Sequence, residues 1–377
     1  MATSPNGIVE QHDVDLTLPA GGLLLDSGRR FGPITVRYER YGEMNREKSN
    51  VILVLHAFSG DAHAAGLHSW EDAHPGWWEE MIGPGRALDT DKYCVICSNV
   101  LGGCQGTTGP GSTNPDTGEP YAMSFPIITI RDMTNVQRLL LEHLGIPRLY
   151  GVIGGSMGGM NALDWAVAYP EQVERAIVLA STARSGAQSI AFNAVGRNAI
   201  MSDPRWKEGL YYGGESPARG LAIARMVGHI TYLSDESMGM KFGRRLQERD
   251  GFGSTFSDQF AVESYLEYQG DKFVDRFDAN SYIYLTKAMD YFDLSERYGS
   301  LDDAFARTTA RFLILSYSSD WLFPTRQSKE IVYALMKNGK DVSYSEISSP
   351  YGHDSFLLET ERQEELIVSF LEGAHGG

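Results

Sequence analysis

Leu149-Tyr150-Gly151-Val152-Ile153 runs directly into Gly154-Gly155-Ser156-Met157-Gly158-Gly159. The first run is apolar enough for a buried strand and an apolar helical pattern opens at Met157, so the second reads as a sharp turn with a serine at its apex. Such a turn strains the serine backbone and crowds its neighbours. Gly154 and Gly158 supply the side-chain-free positions of the pattern G-x-S-x-G. The serine oxygen is then held clear of the sheet, and the Met157 N–H at the helix start can face a developing oxyanion. The stretch predicts a nucleophilic serine.

Working outward, apolar runs at Ile34 to Tyr38, Val51 to Leu55, Tyr93 to Asn99, Ala176 to Ala180, Phe312 to Tyr317 and Val342 to Ile347 predict further strands. Helical patterns lie between several of them, at Ile130 to Leu144, Met157 to Ala168 and Gln327 to Lys337. Alternating strands and helices predict an α/β fold with a mostly parallel central sheet flanked by helices. From about Ser185 to Arg297 the strand signals stop. Helical periodicity, Met226, Met238, Met240 and Met289, and breaks at Asp203-Pro204 and Ser216-Pro217 take their place. The expected organisation is a core domain of residues 1–184 and 298–377 with an inserted helical lid domain at 185–297. An insertion there sits above the strand C-terminal ends, where open α/β sheets bind ligands. It can exclude water and offer a surface for oligomer contact, so a homodimer through the helical lid is expected. Met1 to Gly7, mostly polar or small, are expected to be mobile.

At 377 residues the chain can bury a sizeable core without staples. Its three cysteines, Cys94, Cys97 and Cys104, suggest no disulfide framework, and Cys94 and Cys97 lie three apart on a strand, pointing to opposite faces. A net charge of −16 with 33 thinly spread lysines and arginines argues against nucleic acid as a partner. A small anionic ligand needs only two or three local cations. Arginines cluster most between Arg184 and Arg249, where a solvated surface is the other reading. No signal pattern and no apolar run of membrane-spanning length is present, so a soluble, cytoplasmic protein without a membrane partner is expected.

A nucleophilic serine needs a base and a group to orient it, which in α/β hydrolases follow in the order Asp or Glu, then His. Asp320 follows the predicted strand ending at Tyr317, and His353 follows the one ending at Ile347. His353 would then take the Ser156 proton and return one to the leaving group, while Asp320 fixes the imidazole tautomer. A second oxyanion donor is expected in the loop His56-Ala57-Phe58-Ser59-Gly60-Asp61; the Phe58 N–H is the candidate, with Met157 N–H as the first. His63, His68 and His74 crowd one loop with Asp61, Glu71 and Asp72. Their spacing is not H-E-x-x-H and no cysteine joins them, so no metal is predicted.

These loops, together with Asn99-Val100-Leu101-Gly102-Gly103-Cys104-Gln105-Gly106-Thr107-Thr108-Gly109-Pro110, Gly159-Met160-Asn161-Ala162-Leu163, Arg197-Asn198-Ala199-Ile200, His229-Ile230-Thr231-Tyr232 and Ala288-Met289-Asp290-Tyr291-Phe292-Asp293, carry a resemblance over nearly the whole chain. The chain resembles the homoserine O-acyltransferases of the α/β-hydrolase fold, most of all the homoserine O-acetyltransferases of methionine biosynthesis. The resemblance implies ping-pong transfer of an acetyl group from acetyl-CoA, a co-substrate rather than a bound cofactor, through Ser156 to the hydroxyl of L-homoserine. It also implies that Arg225 meets the homoserine carboxylate and Asp354 its ammonium. The chain departs from the family at Ala57-Phe58-Ser59-Gly60-Asp61-Ala62-His63, where Ala-Leu-Thr-Gly-Asp-Ser-His is commoner, and at Asn161, where Gln is common. Relatives that use succinyl-CoA tend to carry arginine at the position of Leu322, so acetyl is expected. The alternatives are a homoserine O-succinyltransferase and an esterase or thioesterase of the same fold.

Overall fold

The structure, a computed structural model, describes residues 3–247 and 260–373. Residues 248–259, inside the expected lid and including Arg249, lie outside the described residues, as do Met1, Ala2 and residues 374–377. Eight strands make one sheet: β1 (Gln11–Asp15), β2 (Thr35–Tyr41), β3 (Val51–Leu55), β4 (Cys94–Ser98), β5 (Gly151–Gly155), β6 (Arg175–Leu179), β7 (Arg311–Tyr317) and β8 (Val342–Ile347). Their spatial order is β1-β2-β4-β3-β5-β6-β7-β8. β2 runs antiparallel to both β1 and β4, and all other pairs are parallel. The helices are α1 (Ile130–His143), α2 (Met157–Ala168), α3 (Ala187–Met201), α4 (Ala218–Tyr232), α5 (Asp235–Lys241), α6 (Ala261–Val274), α7 (Ala279–Asp290), α8 (Leu294–Tyr298), α9 (Leu301–Ala306), α10 (Thr325–Lys337), α11 (Ser355–Leu358) and α12 (Thr360–Glu372).

The central strands read as mostly apolar runs because helices cover both of their faces. In β3, Val51, Leu53 and Leu55 pack with Met133, Leu140 and Leu163 of α1 and α2. Ile52 and Val54 point the other way, into the layer that holds Ile367, Phe370 and Leu371 of α12. Cys94 and Cys97 are divided between these two layers, as residues three apart on a strand must be. Every residue of α2 from Met157 to Val167 is buried, so this helix runs through the core rather than over it.

The helical segment leaves the sheet after β6 and returns before β7. Arg184 and Asp293 form a bridge at its neck, where Ser185 N–H donates to Phe292 O at 2.9 Å and Leu294 N–H donates to Ala183 O at 3.0 Å. Helices α3 to α7 therefore hang from one point above the sheet. Proline follows each of the two breaks seen in the sequence: α3 ends at Met201 ahead of Pro204, and α4 begins directly after Pro217. The C-terminal end of α4 lies on the loop after β8. Gly352 in that loop has φ +75°, and a Cβ there would sit 2.5 Å from Ser234 N, so no other residue fits.

One expectation fails: residues 3–7 are fastened. Asn6 Nδ2 donates to Ile82 O at 2.8 Å and Leu67 N–H donates to Gly7 O at 3.0 Å, so one side chain and one carbonyl of this segment satisfy inner backbone groups.

Gly158 is where the first turn of α2 meets the end of β3. A Cβ on Gly158 would stand 1.9 Å from Leu55 O, a distance only displacement can relieve. Gly158→Ala is expected to destabilise the fold by about 1–3 kcal/mol, the usual cost of overpacking. It should also lower activity, because Leu55 leads into the loop at Phe58. Denaturant titration and an activity assay check both effects, and wild-type values for the two would contradict the packing argument.

Candidate active site

Ser156 ends β5 and caps α2 with φ 58° and ψ −122°, a conformation costly for a residue with a side chain. Two hydrogen bonds hold it there. Ser156 N–H donates to Leu179 O at 3.0 Å, and Ser181 Oγ donates to Ser156 O at 2.7 Å. The serine is 7% exposed and borders a cavity of about 50 Å³, room for a few waters or a short acyl group. Phe58, Met160, Tyr232, Leu322 and Phe323 are among its walls.

Asp320 and His353 stand in the loops after β7 and β8, so both lie at the same end of the sheet as Ser156. His353 Nδ1 and Asp320 Oδ2 are 2.8 Å apart, and both groups are buried. The other carboxylate oxygen accepts Leu322 N–H at 3.0 Å and Phe323 N–H at 2.9 Å, so Asp320 is fixed from both sides. Burial disfavours a charged imidazole, but the Asp320 carboxylate outweighs it with help from Asp354, and the His353 pKa is raised above its ordinary value. Phe323, Phe356 and Tyr232 surround the ring at centroid distances of 5.2, 5.3 and 6.2 Å. Phe323 and Tyr232 also line the Ser156 cavity, so serine and histidine share walls. Ser319 Oγ accepts Gly352 N–H at 2.9 Å and Trp321 Nε1 donates to Leu233 O at 2.9 Å, tying the two loops to each other and to the end of α4.

Neither Met157 N–H nor Phe58 N–H has a hydrogen-bond acceptor among the described residues. The loop that carries Phe58 is held by His56, whose Nε2 accepts Val100 N–H at 3.1 Å while Nδ1 meets Ala57 O at 2.8 Å. The Nε2 acceptor role assigns the proton to Nδ1, and burial lowers the pKa of this histidine, which keeps that tautomer neutral.

Arg225 lies on α4 with its guanidinium over the rings of Phe273 and Tyr232, at 4.6 and 5.5 Å. Its Nη1 donates to Ser59 Oγ at 3.3 Å, and no carboxylate among the described residues pairs with it. Asp354 follows His353 directly. Burial raises its pKa, and the charges of His353 and Arg225 pull it back in part. The two residues therefore feel each other without forming an ion pair.

The histidine-rich loop resolves differently from its sequence grouping. Asp61 and Asp72 accept backbone N–H groups of His63 and His68, at 2.9 and 2.8 Å, and not their rings. The rings instead reach Glu39 of β2: His63 Nδ1 lies 2.9 Å from Oε2 and His68 Nε2 lies 2.8 Å from Oε1. Tyr41 OH donates to Oε2 at 2.8 Å. The three donor atoms of Glu39, His63 and His68 lie within 4.8 Å of one another, a spacing that a divalent ion could bridge. Both oxygens of Glu39 already have partners, however, so the cluster balances its own charge. The sequence missed Glu39 because it comes from a distant strand, where it lies fully buried between Tyr38 and Arg40.

Comparison with known proteins agrees with this architecture. Residues 50–360 match the family model of the alpha/beta hydrolase fold. The homoserine O-acetyltransferase of Methanosalsum zhilinae is 58% identical over 349 residues, 93% of this chain and 70% of that protein. The crystal structure of homoserine O-acetyltransferase from Bacillus anthracis superimposes with a TM-score of 0.91 at 34% identity, covering 97% of this chain and 98% of that one. Esterase E22 is also similar, with a TM-score of 0.89 at 33% identity over 97% of this chain and 100% of its own. With its buried His–Asp pair, its strained serine and identity of this extent, the chain is an enzyme that belongs to the homoserine O-acetyltransferase family of the α/β-hydrolase fold.

Proposed function

We propose that this enzyme moves an acetyl group from acetyl-CoA to the hydroxyl of L-homoserine by way of an acyl-serine at Ser156. His353 Nε2 takes the Ser156 proton as the serine oxygen attacks the thioester carbonyl, and the tetrahedral oxyanion accepts hydrogen bonds from Met157 N–H and Phe58 N–H. His353 returns the proton to the departing thiolate. Homoserine then loses its hydroxyl proton to His353, attacks the acyl-serine and leaves as O-acetylhomoserine, while Ser156 regains the proton. Asp320 stabilises the imidazolium at each step. No bound cofactor is required. The product, an activated homoserine ester, suits methionine biosynthesis.

The observation that carries this reading is a pair of opposite charges, Arg225 and the Asp354 next to His353, that feel each other without forming an ion pair. Arg225 without a carboxylate and Asp354 next to the catalytic base suit the carboxylate and ammonium of an amino acid. The donor follows from the cavity at Ser156. None of its lining residues carries a positive charge, and Leu322 is among them, so a succinyl carboxylate would be buried unpaired at a cost of several kcal/mol. Helices α3 to α7 act as a lid that keeps water from the acyl-enzyme. Exposed Ile190 and Val195 on α3 and Ile223 and Ile230 on α4 suit a second copy of the lid, making a homodimer. The likeness to esterase E22 supports one other reading, in which water is the acceptor.

Steady-state kinetics with acetyl- and succinyl-CoA against homoserine, serine and no acceptor test the proposal. Acetyl-CoA with homoserine should give the highest kcat/KM, and full-rate thiol release without an amino acid would establish the esterase reading instead. Arg225→Leu is expected to raise the homoserine KM roughly 10- to 150-fold, the loss of about 1.5–3 kcal/mol from a charged hydrogen bond, with acyl-enzyme formation unchanged. Unaltered homoserine kinetics would refute the assignment. Because His353 must be neutral to act as base and its pKa is raised, kcat/KM should fall with decreasing pH along a limb centred above 6.5. In Asp320→Asn the residual activity should show that limb moved to lower pH, and a limb that stays in place would mean that another group sets it.

A further inference from the structure

A second cleft, of about 520 Å³, opens beside the Ser156 cavity. Phe58 lines the cavity, whereas its neighbours Ala57 and Ser59 line the cleft, so one loop forms the wall between the two. Arg225 faces this cleft, and so does Arg276, two residues beyond the end of α6. Both arginines are anchored on the same residue. Arg225 Nη1 donates to Ser59 Oγ at 3.3 Å, and Arg276 Nη1 donates to Ser59 O at 2.9 Å. Both guanidiniums lie over the ring of Phe273, at 4.6 and 5.4 Å.

Among the described residues neither arginine has a carboxylate within ion-pair distance. Asp61, the one acidic residue in the lining, gives an oxygen to His63 N–H. Burial and then the charge of Arg225 lower the Arg276 pKa, against a smaller upward pull from Asp61, as expected for two like charges set close together. In a chain of net charge −16, carboxylates to quench such a pair are plentiful, so leaving it open is costly unless an anion shares it. The placement is also built rather than loose. Gln105 Nε2 donates to Arg276 O at 2.7 Å, which gives a task to the Gly102-Gly103-Cys104-Gln105-Gly106 run.

We propose that Arg276 is a second carboxylate-binding residue, which together with Arg225 brackets the α-carboxylate of the amino acid acceptor. This rests on the function proposed above. Two guanidiniums held at fixed positions on Ser59 can each give hydrogen bonds to one carboxylate, with Asp354 left for the ammonium. Their shared anchor is the residue after Phe58, so a bound carboxylate would also steady the loop that carries the oxyanion donor.

The test is Arg276→Gln, assayed with acetyl-CoA and either homoserine or 3-aminopropan-1-ol, which is homoserine without its carboxylate. Homoserine KM is expected to rise at least about tenfold, with acetyl-CoA KM unchanged and Arg276→Lys recovering part of the loss. With 3-aminopropan-1-ol at matched concentrations, variant and wild type should turn over at similar rates, because the lost contact has no counterpart there. A raised acetyl-CoA KM with unchanged homoserine KM would overturn the proposal and assign Arg276 to the coenzyme phosphates. An equal loss with both acceptors, accompanied by slower acylation from p-nitrophenyl acetate, would overturn it in favour of a structural role for the Ser59 contact. If the wild-type enzyme failed to use homoserine at all, the function proposed above would fall before the variant was compared.

Discussion

A buried hydrogen bond of 2.8 Å between His353 Nδ1 and Asp320 Oδ2 is the interaction on which the rest of this site depends. Removed from water, the imidazole would favour its neutral form; the fixed carboxylate reverses that preference and leaves Nε2 as a base poised to accept a proton. Asp320 can do this because two backbone N–H groups hold its other oxygen. Its loop is tied to the His353 loop through Ser319 and to the end of α4 through Trp321. The helical segment thus takes part in building the site.

The same segment bears on the choice between water and an amino acid as acceptor. An acyl-serine survives only if the space around it is dry and its intended acceptor is held in place. The cavity at Ser156 is small and walled largely by apolar and aromatic side chains, and its polar walls carry no charge. Charge appears one loop away, where Arg225 and Arg276 share Ser59. Under the function proposed above, the acyl group and the acceptor would meet different environments on the two faces of the Phe58 loop. Such a separation suits transfer better than hydrolysis, which needs no cationic side.

Much of this was legible in the sequence, for physical reasons that differ by element. Strands β3 to β7 are mostly apolar because both faces are largely buried, and the Ser156 turn declares itself through its glycines. Asp320 and His353 could be found because open parallel sheets bind ligands where their strands end, and each residue follows such an end. By contrast, β1 has the sequence Gln-His-Asp-Val-Asp and lies at the sheet edge, half in solvent, so no apolar run marks it. Glu39 and Arg276 were invisible for another reason. Their partners are a pair of histidines on a distant loop and the backbone carbonyl of Ser59, relations that exist only once the chain has folded. Residues 3–7 looked mobile because they are mostly polar or small, yet Asn6 satisfies the Ile82 carbonyl and Gly7 accepts from Leu67 N–H.

The central claim is that Ser156 carries the acyl group between two substrates. Mass spectrometry of the enzyme mixed with acetyl-CoA alone, then with homoserine, tests it most directly. One acetyl group is expected on the peptide containing Ser156, absent in Ser156→Ala, persisting in buffer and discharged by homoserine as O-acetylhomoserine appears. Product formation with no acetyl on Ser156, or an acetyl-enzyme that water discharges as fast as homoserine does, would contradict the account.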